Sequence, residues 1–437
     1  MISEPPGHAP HPALSRTQPE AAAFHFLKRL KLPCRLLVAY SGGGDSTGLL
    51  VALAALRADF PGLTITAATV DHGLRSGSAA EALKAGALCH ALDIPHAVLT
   101  WHGDKPKTGV QAAARAARYR LLAEYAMRTG VDLVATAHNL EDQQETLAMR
   151  RARDADATGG ISETVLVDRA IWVARPFLDV HRDEIRDYLR HRDIGWVEDP
   201  SNDNPEFERV RIRQGLADGT RTLDFDTDSA SISHAAACFI DAAVKLHPGH
   251  IAEVDLSGLS QDNPAHRLAM LSLAAFLGGR DHLAGRATAE RIFDFLTHGE
   301  GMRLAAERVI LDKRGGSLFV GREARGLPRL AIAPGEAAYW DNRFHIVNTG
   351  KLTALVGAGE VQAYPLISPP LADSLPKSVF RRSMVTIPQL ISGDHDALRI
   401  RTVIPQFEHF LTSSRFELAN SLAFVASLEH FPSLSLG

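Results

Sequence analysis

The stretch of this sequence best suited to chemistry is a short run of glycine and hydroxyl residues that contains one acid. The run reads Ser41-Gly42-Gly43-Gly44-Asp45-Ser46-Thr47. Glycine-rich turns let backbone N–H groups close around a phosphate at the start of a helix. A carboxylate beside bound phosphate is repelled unless a divalent cation lies between them, so Asp45 predicts Mg²⁺. The run lacks the lysine of a P-loop, which excludes that pattern.

Histidines and further acids follow other apolar runs. Asp71 and His72 follow one run, and His138 follows another. Asp142 and Glu145 are three residues apart, so they share one face of a predicted helix that begins just after His138. Such a pair can bind Mg²⁺, although acids in a first helical turn also stabilise the helix dipole. Beside a phosphate loop, we favour the metal-binding interpretation.

Two arginines form a third candidate group. Arg115 and Arg118 are also three residues apart on a predicted helix, and Tyr119 follows them. Their shared face offers two guanidiniums to a phosphate or a carboxylate. A solvated basic surface gives the same pattern, so both interpretations stay open.

The elements that must position these residues alternate along the chain. Apolar runs predict strands over 34–40, 63–70, 96–101 and 132–136. Helical periodicity predicts helices over 48–56, 78–92, 110–128 and 140–151. This alternation is typical of an α/β fold with a doubly wound parallel sheet. Ligands bind such sheets at the carboxyl ends of the strands, where the glycine loop, Asp71, His72 and His138 are expected.

The rest of the chain predicts further regions. A strand or hairpin is expected over 165–177, a helix over 181–192 and an arginine-spaced helix near 209–213. A change in composition at 219–229 marks a domain boundary. Beyond it we expect helices over 231–246, 266–277 and 287–296, a hairpin over 308–320, a strand over 339–347 and a linker over 365–376. The predicted division is a disordered tail at 1–17, a catalytic domain at 18–222, a mainly helical domain at 229–330 and a small α+β region at 331–437.

Composition narrows the class of protein. The 437 residues are 45% hydrophobic and 22% charged, with a net charge of −4. No apolar run approaches the ~18 residues of a membrane span, and the N-terminus lacks a signal-peptide pattern. Cys34, Cys89 and Cys238 are far apart, which favours free thiols in a reducing cytoplasm. We therefore expect a cytoplasmic protein.

Several stretches together carry a family resemblance over roughly residues 34–215. Besides the glycine loop, they are Val70–Arg75, Ala114–Tyr119, Ala137–Thr146, Arg175–Leu178 and Glu198–Asn202. The chain resembles the PP-loop (N-type) ATP pyrophosphatases and, within them, the tRNA(Ile)-lysidine synthetase family. The loop alone indicates only the superfamily, whereas the series in this order is specific to the narrower family.

The resemblance implies an activity and its partners. The family uses ATP to attach free L-lysine to C2 of cytidine 34 in the CAU anticodon of tRNA(Ile), through an adenylated intermediate. It implies ATP and Mg²⁺ as cofactors and tRNA-binding roles for 229–330 and 331–437, and it leaves a homodimer open. The implied catalytic residues are Asp45, Arg115, Asp142 and Glu145. The implied metal ligands are Asp45, Asp142 and Glu145, and the implied nucleotide-binding residues are Ser41, Gly42, Gly43, Gly44, Asp45, Ser46, Asp71, His72 and His138.

The chain departs from the family pattern in places, and two other functions are compatible with parts of the sequence. Asn139 and Glu141 stand where the family usually has a histidine and an aspartate, and the region after about residue 350 resembles the family only faintly. Another PP-loop enzyme such as a tRNA thiolase would need cysteine pairs, which are missing. A non-catalytic tRNA-binding adaptor would not need the intact loop with Asp142 and Glu145.

Overall fold

The chain folds into two compact units. The computed structural model describes residues 17–73, 78–153, 160–198, 212, 229–298, 303–359, 364–366 and 375–436. The first unit comprises Met1–Val165, Ala170–Asp226 and Leu434–Gly437, and the second comprises Leu166–Arg169 and Thr227–Ser433. The chain thus passes between the units within the stretch 219–229. Within the described residues, no helix is both long enough and apolar enough to cross a membrane.

Strands of the first unit form one sheet. They are β1 (Cys34–Ala39), β2 (Leu63–Asp71), β3 (His96–Thr100), β4 (Leu133–Ala135), β5 (Thr164–Val167) and β6 (Ile171–Ala174). The order is β5-β6-β4-β1-β2-β3, so β1 lies inside the sheet. β1 runs parallel to β2 and β4, and the pairs β2–β3 and β4–β6 are also parallel. The predicted parallel α/β sheet is confirmed.

Helices follow the strands of this sheet. They are α1 (Gln18–Lys28), α2 (Gly44–Leu56), α3 (Ser78–Ala91), α4 (Val110–Thr129), α5 (Leu140–Arg153) and α6 (Arg182–Arg190). Leu36, Leu37 and Val38 of β1 are fully buried, as are Leu49 and Leu50 of α2. This apolar packing fixes the turn between β1 and α2, which is the glycine loop. Because β1 and its neighbours are parallel, their carboxyl ends share one edge of the sheet.

The second unit combines helices with three sheets. Its helices are α7 (Ser229–Ala243), α8 (Pro264–Gly278), α9 (Arg286–His298), α10 (Lys377–Met384), α11 (Pro405–Glu408) and α12 (Phe416–Val425). One sheet has the order β7-β8-β11-β10-β9, with β7 (Val244–His247), β8 (Ile251–Asp255), β9 (Arg303–Ala306), β10 (Val309–Arg314) and β11 (Ser317–Arg322). The others are β12-β15-β17-β16 and β13-β14-β18. Their strands are β12 (Leu330–Ile332), β13 (Ala337–Trp340), β14 (Phe344–Asn348), β15 (Ala354–Gly357), β16 (Tyr364–Pro365), β17 (Gln389–Ser392) and β18 (Leu398–Thr402); β19 (Phe410–Thr412) follows.

Two predicted elements of this unit differ in the structure. The helix expected over 231–246 ends at Ala243, and Val244–His247 pairs with β8 instead. The strand expected over 339–347 is a hairpin, because Asp341 and Asn342 adopt φ of 52° and 56° and turn the chain. The hairpin expected over 308–320 is confirmed as β10 and β11. The expected helix near 209–213 and most of the expected 365–376 linker lie outside the described residues.

A buried ion cluster holds the second unit together. Asp341 accepts hydrogen bonds from Arg322 at 2.9 and 3.0 Å and from Arg343 at 2.7 Å, and it also pairs with Arg308. The side chains of Asp341 and Arg322 are completely buried. Several guanidiniums therefore depend on one carboxylate, which makes this acid critical for the stability of the unit.

Candidate active site

The glycine loop is closed by its own serine hydroxyls. Gly42 has a φ of +82°, a conformation that strains residues with a Cβ. Ser46 Oγ accepts a hydrogen bond from the Ser41 N–H at 3.2 Å and donates one to the Gly43 carbonyl at 3.0 Å. Helix α2 begins at Gly44, four residues earlier than predicted. The loop is therefore a preformed turn whose backbone leads directly into a helix N-terminus.

A second segment runs along the loop. Val197 donates its N–H to the Gly42 carbonyl at 2.9 Å and pairs in parallel with Gly43 as an isolated bridge. A Cβ on Gly44 would lie 3.3 Å from the Trp196 indole. Glycine at this position thus leaves room for the indole against the start of α2.

Two carboxylates meet around one guanidinium beside the loop. Arg182 Nε lies 3.6 Å from Asp45 Oδ2, and Arg182 Nη2 lies 3.6 Å from Asp142 Oδ1. Burial raises the pKa of Asp45; Arg182 acts to lower it, and Asp142 acts to raise it. These acids come from different helix N-termini almost a hundred residues apart. The structure therefore brings two predicted metal ligands together.

Asn139 fixes the position of Asp142. The Asn139 N–H donates to Asp142 Oδ2 at 3.1 Å, and the Asp142 N–H donates to Asn139 Oδ1 at 3.0 Å. This reciprocal arrangement is a capping box at the start of α5. Asn139 is fully buried, and its side chain also acts to lower the pKa of the Asp45 carboxyl. The asparagine that departs from the family pattern thus caps the helix that carries Asp142.

Glu141 fixes the position of Arg182. Its carboxylate accepts the Arg182 backbone N–H at 2.9 Å and lies 3.0 Å from His181 Nδ1. Burial acts to raise the pKa of Glu141, but the bonds from His181 and Arg182 lower it overall. The same contact raises the pKa of His181. Glu141 is therefore an anion that joins the start of α5 to the start of α6.

Glu145 lies one turn further along α5. It is 1% exposed, whereas the Asp142 side chain is 18% exposed. Among the described residues, no group of three or more histidine, cysteine, aspartate or glutamate side chains could hold a metal ion. Mg²⁺ is commonly bound by one or two carboxylates together with substrate phosphates, so Asp45 and Asp142 are a fitting donor pair. A metal-binding role of Glu145 stays a prediction.

Asp71 and His72 lie at the carboxyl end of β2, next to β1. Asp71 is buried and accepts the Gly73 N–H at 2.9 Å. His72 packs edge-on against Trp101, with ring centroids 6.1 Å apart. Burial lowers the pKa of His72, and nearby Arg118 lowers it further. Both effects favour the neutral imidazole of His72. After β4, His138 Nδ1 lies 3.0 Å from Thr136 Oγ1.

The predicted arginine pair lies around a buried tyrosine. Arg115 Nη2 donates to the Tyr119 hydroxyl at 3.3 Å, and its guanidinium lies 5.1 Å from the ring centroid. Arg118 is exposed on the same helix. Arg175, which follows β6, is buried and interacts with Tyr119. The structure thus adds a third arginine to the predicted two.

Sequence reasoning missed Arg182 and Glu141 as members of the site. Arg182 is the first residue of α6, where a positive charge opposes the helix dipole. Because this placement does not stabilise the helix, it indicated that Arg182 interacts with a group outside the helix. Glu141 gave no such signal, because an acid in the first turn of a helix is common.

Comparisons with a family model and with named relatives identify the class of protein that the fold and the loop define. Residues 17–219 match the family described as PP-loop domain. The tRNA(Ile)-lysidine synthase of Rhizobium meliloti is 41% identical over 408 residues, 89% of each chain. That of Mesorhizobium japonicum is 34% identical over 434 residues, 92% of this chain and 94% of the relative. A solved U34-tRNA thiolase, NcsA from Methanococcus maripaludis, covers 46% of this chain and 71% of its own at 16% identity, with a TM-score of 0.39.

The class is that of PP-loop enzymes, which use ATP. Within this class, the chain belongs to the tRNA(Ile)-lysidine synthase family. It is accordingly a ligase, and the resemblance found in the sequence is confirmed.

Proposed function

We propose that this enzyme attaches free L-lysine to C2 of cytidine 34 in the CAU anticodon of tRNA(Ile), forming lysidine. The cytosine O2 attacks the α-phosphate of ATP, and pyrophosphate leaves. The lysine ε-amine then attacks C2, and AMP leaves. The observation that carries the proposal is the match to a named relative over 89% of both chains. The intact glycine loop, with Asp45 inside it and Asp142 beside it, supports the same function.

The glycine loop would bind the pyrophosphate part of ATP. Backbone N–H groups at the start of α2 point along the helix axis, and the helix dipole adds positive potential there. The Ser41 and Ser46 hydroxyls brace the loop by lying 3.0 Å apart. Because contacts within the protein fix the turn, little ordering would be needed when the leaving pyrophosphate is stabilised.

Asp45 and Asp142 would hold Mg²⁺, with Glu145 as the further predicted ligand. The ion would offset charge that develops on the phosphates during transfer. Arg182 now lies against both acids. In the ATP complex its guanidinium would be available to the phosphate oxygens instead, as arginine commonly is. The start of α6, held by Glu141, keeps this side chain within reach.

The remaining predicted residues would contact the nucleosides. Asp71 ends β2, His72 follows it and His138 follows β4, so they flank the loop after β1 at the same edge of the sheet. A neutral His72 can accept or donate a hydrogen bond to an adenine or ribose group. Arg115 would lie near the activated cytidine. That base must leave its stack to enter the site.

The two cysteines of the first unit, Cys34 and Cys89, argue against sulfur transfer as an alternative; Cys238 is exposed and belongs to the second unit. Burial raises the pKa of the Cys34 and Cys89 thiols to about 11. Cys34 begins β1, so it lies at the edge of the sheet opposite the glycine loop. Neither thiol is placed to act as a nucleophilic thiolate in this site. Free thiols fit a protein of the reducing cytoplasm.

Lysine incorporation tests the proposal. The protein is incubated with tRNA(Ile) carrying the CAU anticodon, ATP, Mg²⁺ and radiolabelled lysine, and pyrophosphate is measured in parallel. We expect label in the tRNA and stoichiometric pyrophosphate release. The matched control is the same tRNA with cytidine 34 replaced by uridine, which should stay unlabelled. Absence of both products with the CAU tRNA would refute the ligase; tRNA binding without either product would favour the adaptor.

A further inference from the structure

Three arginines and a tyrosine form a compact positive cluster in the first unit. Arg115 and Arg118 lie on α4, and Arg175 follows β6. Tyr119 lies between them: its hydroxyl accepts from Arg115 at 3.3 Å, and it interacts with both other guanidiniums. Tyr119 and Arg175 are 3% and 5% exposed, whereas Arg115 and Arg118 are solvent-accessible. The cluster therefore has a buried floor and an accessible rim.

No carboxylate in the part of the chain that the structure describes balances the charge of this cluster. Among the described residues, no ion pair links Arg115, Arg118 or Arg175 to a carboxylate. Arg175 donates to the Ser162 carbonyl, but its buried Nε has no hydrogen-bond partner within the described chain. Arginine groups held together without a counter-ion are costly. Asp341 in the second unit shows the usual solution, in which one carboxylate serves several arginines.

The pKa shifts of these side chains also indicate that their positive charges repel one another. Burial acts to raise the pKa of Tyr119, but Arg115 and Arg175 lower it overall. Desolvation lowers the pKa of Arg118 although the residue keeps solvent access, and Arg115 lowers it further. Arg115 thus disfavours the positive charge of both Arg118 and Arg175. A bound anion would relieve all three at once.

The cluster lies at the edge of the sheet that carries the glycine loop. Arg175 directly follows the carboxyl end of β6, which runs parallel to β4. Arg118 is close enough to His72, after β2, to lower the pKa of that imidazole. β1 and its loop lie between β4 and β2 in the sheet. An anion bound by the arginines would therefore share the substrate edge with ATP.

We propose that Arg115, Arg118 and Arg175 form an oxyanion subsite, distinct from the pyrophosphate loop, that binds an anionic group of a substrate. This inference rests on the proposed function, which offers two sources of the same chemistry. One is the α-carboxylate of free lysine, and the other is a backbone phosphate of the tRNA. Both present oxygen pairs that the guanidinium fork can bind through charge-assisted hydrogen bonds.

The test uses Arg118→Gln, because this side chain is accessible. Arg120→Gln is the matched control: it makes the same change on α4, where Arg120 pairs with Glu124 at 3.7 Å on an exposed face. Lysine affinity is measured by equilibrium dialysis with radiolabelled lysine, and tRNA affinity by filter binding at several salt concentrations. Neither measurement requires turnover. Arg118→Lys, which keeps a charge, is added to separate loss of charge from loss of shape.

A carboxylate subsite predicts that Arg118→Gln weakens lysine binding roughly 10- to 100-fold, the usual effect of losing a hydrogen bond to a charged group. Cadaverine, which lacks the carboxylate, should then bind both proteins equally. A phosphate subsite predicts instead weaker tRNA binding and a salt slope smaller by about one. Arg118→Lys should recover part of the loss in either case.

The proposal is wrong if lysine and tRNA affinities of Arg118→Gln both match those of Arg120→Gln. If circular dichroism shows that Arg118→Gln unfolds, Arg118→Met takes its place, and the proposal is wrong if folded Arg118→Met binds lysine and tRNA as tightly as Arg120→Gln does. These outcomes differ from failure of the proposed function, because the wild-type protein itself would then incorporate no lysine into tRNA.

Discussion

Replacing Arg182 with glutamine tests whether the site depends on a balance between one guanidinium and two carboxylates. Arg182 lies 3.6 Å from an oxygen of Asp45 and 3.6 Å from one of Asp142. Glutamine removes the positive charge and keeps a polar side chain, so the two acids are left facing each other. We expect the ligand-free protein to lose stability at neutral pH.

The size of the loss follows from the distances and the exposure. Two unit charges at this separation interact by about 4–5 kcal/mol at an effective dielectric constant near 20. Lost hydration offsets much of this, because the Arg182 side chain is only 15% exposed. A net loss of about 1–3 kcal/mol remains. For a unit of this size, it corresponds to a fall in Tm of roughly 3–10 °C.

The loss should also depend on pH. Burial raises the pKa of Asp45, and Arg182 opposes this increase, so removing Arg182 raises the pKa further. A carboxyl group whose pKa is higher in the folded than in the unfolded state holds its proton more tightly when folded. The free energy of unfolding therefore falls as the pH rises and the group ionises. The deficit of the variant should therefore be smallest below the ordinary aspartate pKa of about 3.9. It should grow as the pH rises through the raised value.

Urea unfolding followed by circular dichroism at several pH values measures the effect. Arg190→Gln on the same helix is the control, because its ion pair with Asp187 is 60% exposed on both sides. That substitution should change the free energy of unfolding by less than about 0.5 kcal/mol. The reasoning is refuted if Arg182→Gln is as stable as wild type at neutral pH, or if its deficit does not vary with pH.

Three further substitutions test other parts of the molecule. Asp45→Ala should abolish pyrophosphate release and leave tRNA binding largely intact in filter-binding assays; loss of both would make the residue structural. Gly48→Ala should lower the free energy of unfolding in urea by about 1–3 kcal/mol, because its Cβ would lie 2.3 Å from Ile185 Cγ2. In the Gly48→Ala protein, Ile185→Ala should lower this free energy by less than it does in the wild type. Asp341→Asn should cost about 3–5 kcal/mol by removing the acid shared by several arginines, whereas Asp396→Asn, at a fully exposed side chain, should be neutral.

Local sequence patterns were sufficient to predict the sheet and the loop. Strand β1 is an unbroken apolar run, and a glycine run directly after it permits few structures other than a tight turn. The alternation of strand and helix then placed the loop, Asp71 and His138 at one edge of the sheet before any coordinates were known. The start of α2 was misplaced by four residues, since glycine is a poor helix former yet Gly44 already lies in the helix.

Contacts between distant parts of the chain could not be predicted in this way. Arg182 reaches Asp45 and Asp142 only because α6 packs against α2 and begins beside α5. Helical spacing correctly put Asp142 and Glu145 near one face, but it could not show that Glu145 is buried. The hairpin at Asp341 and Asn342 was missed for a related reason: left-handed backbone at residues other than glycine is uncommon.

The starts of three helices meet at this site, which explains its mixture of charges. Asp45 lies in the first turn of α2, Glu141 and Asp142 lie in that of α5, and Arg182 begins α6. Each helix start carries positive partial charge, so a site built from three of them favours anions. Arg182 partly offsets the charge of both acids, while burial and Asp142 raise the pKa of Asp45. Phosphates bound here would add further negative charge, so they require a cation between them and the two carboxylates.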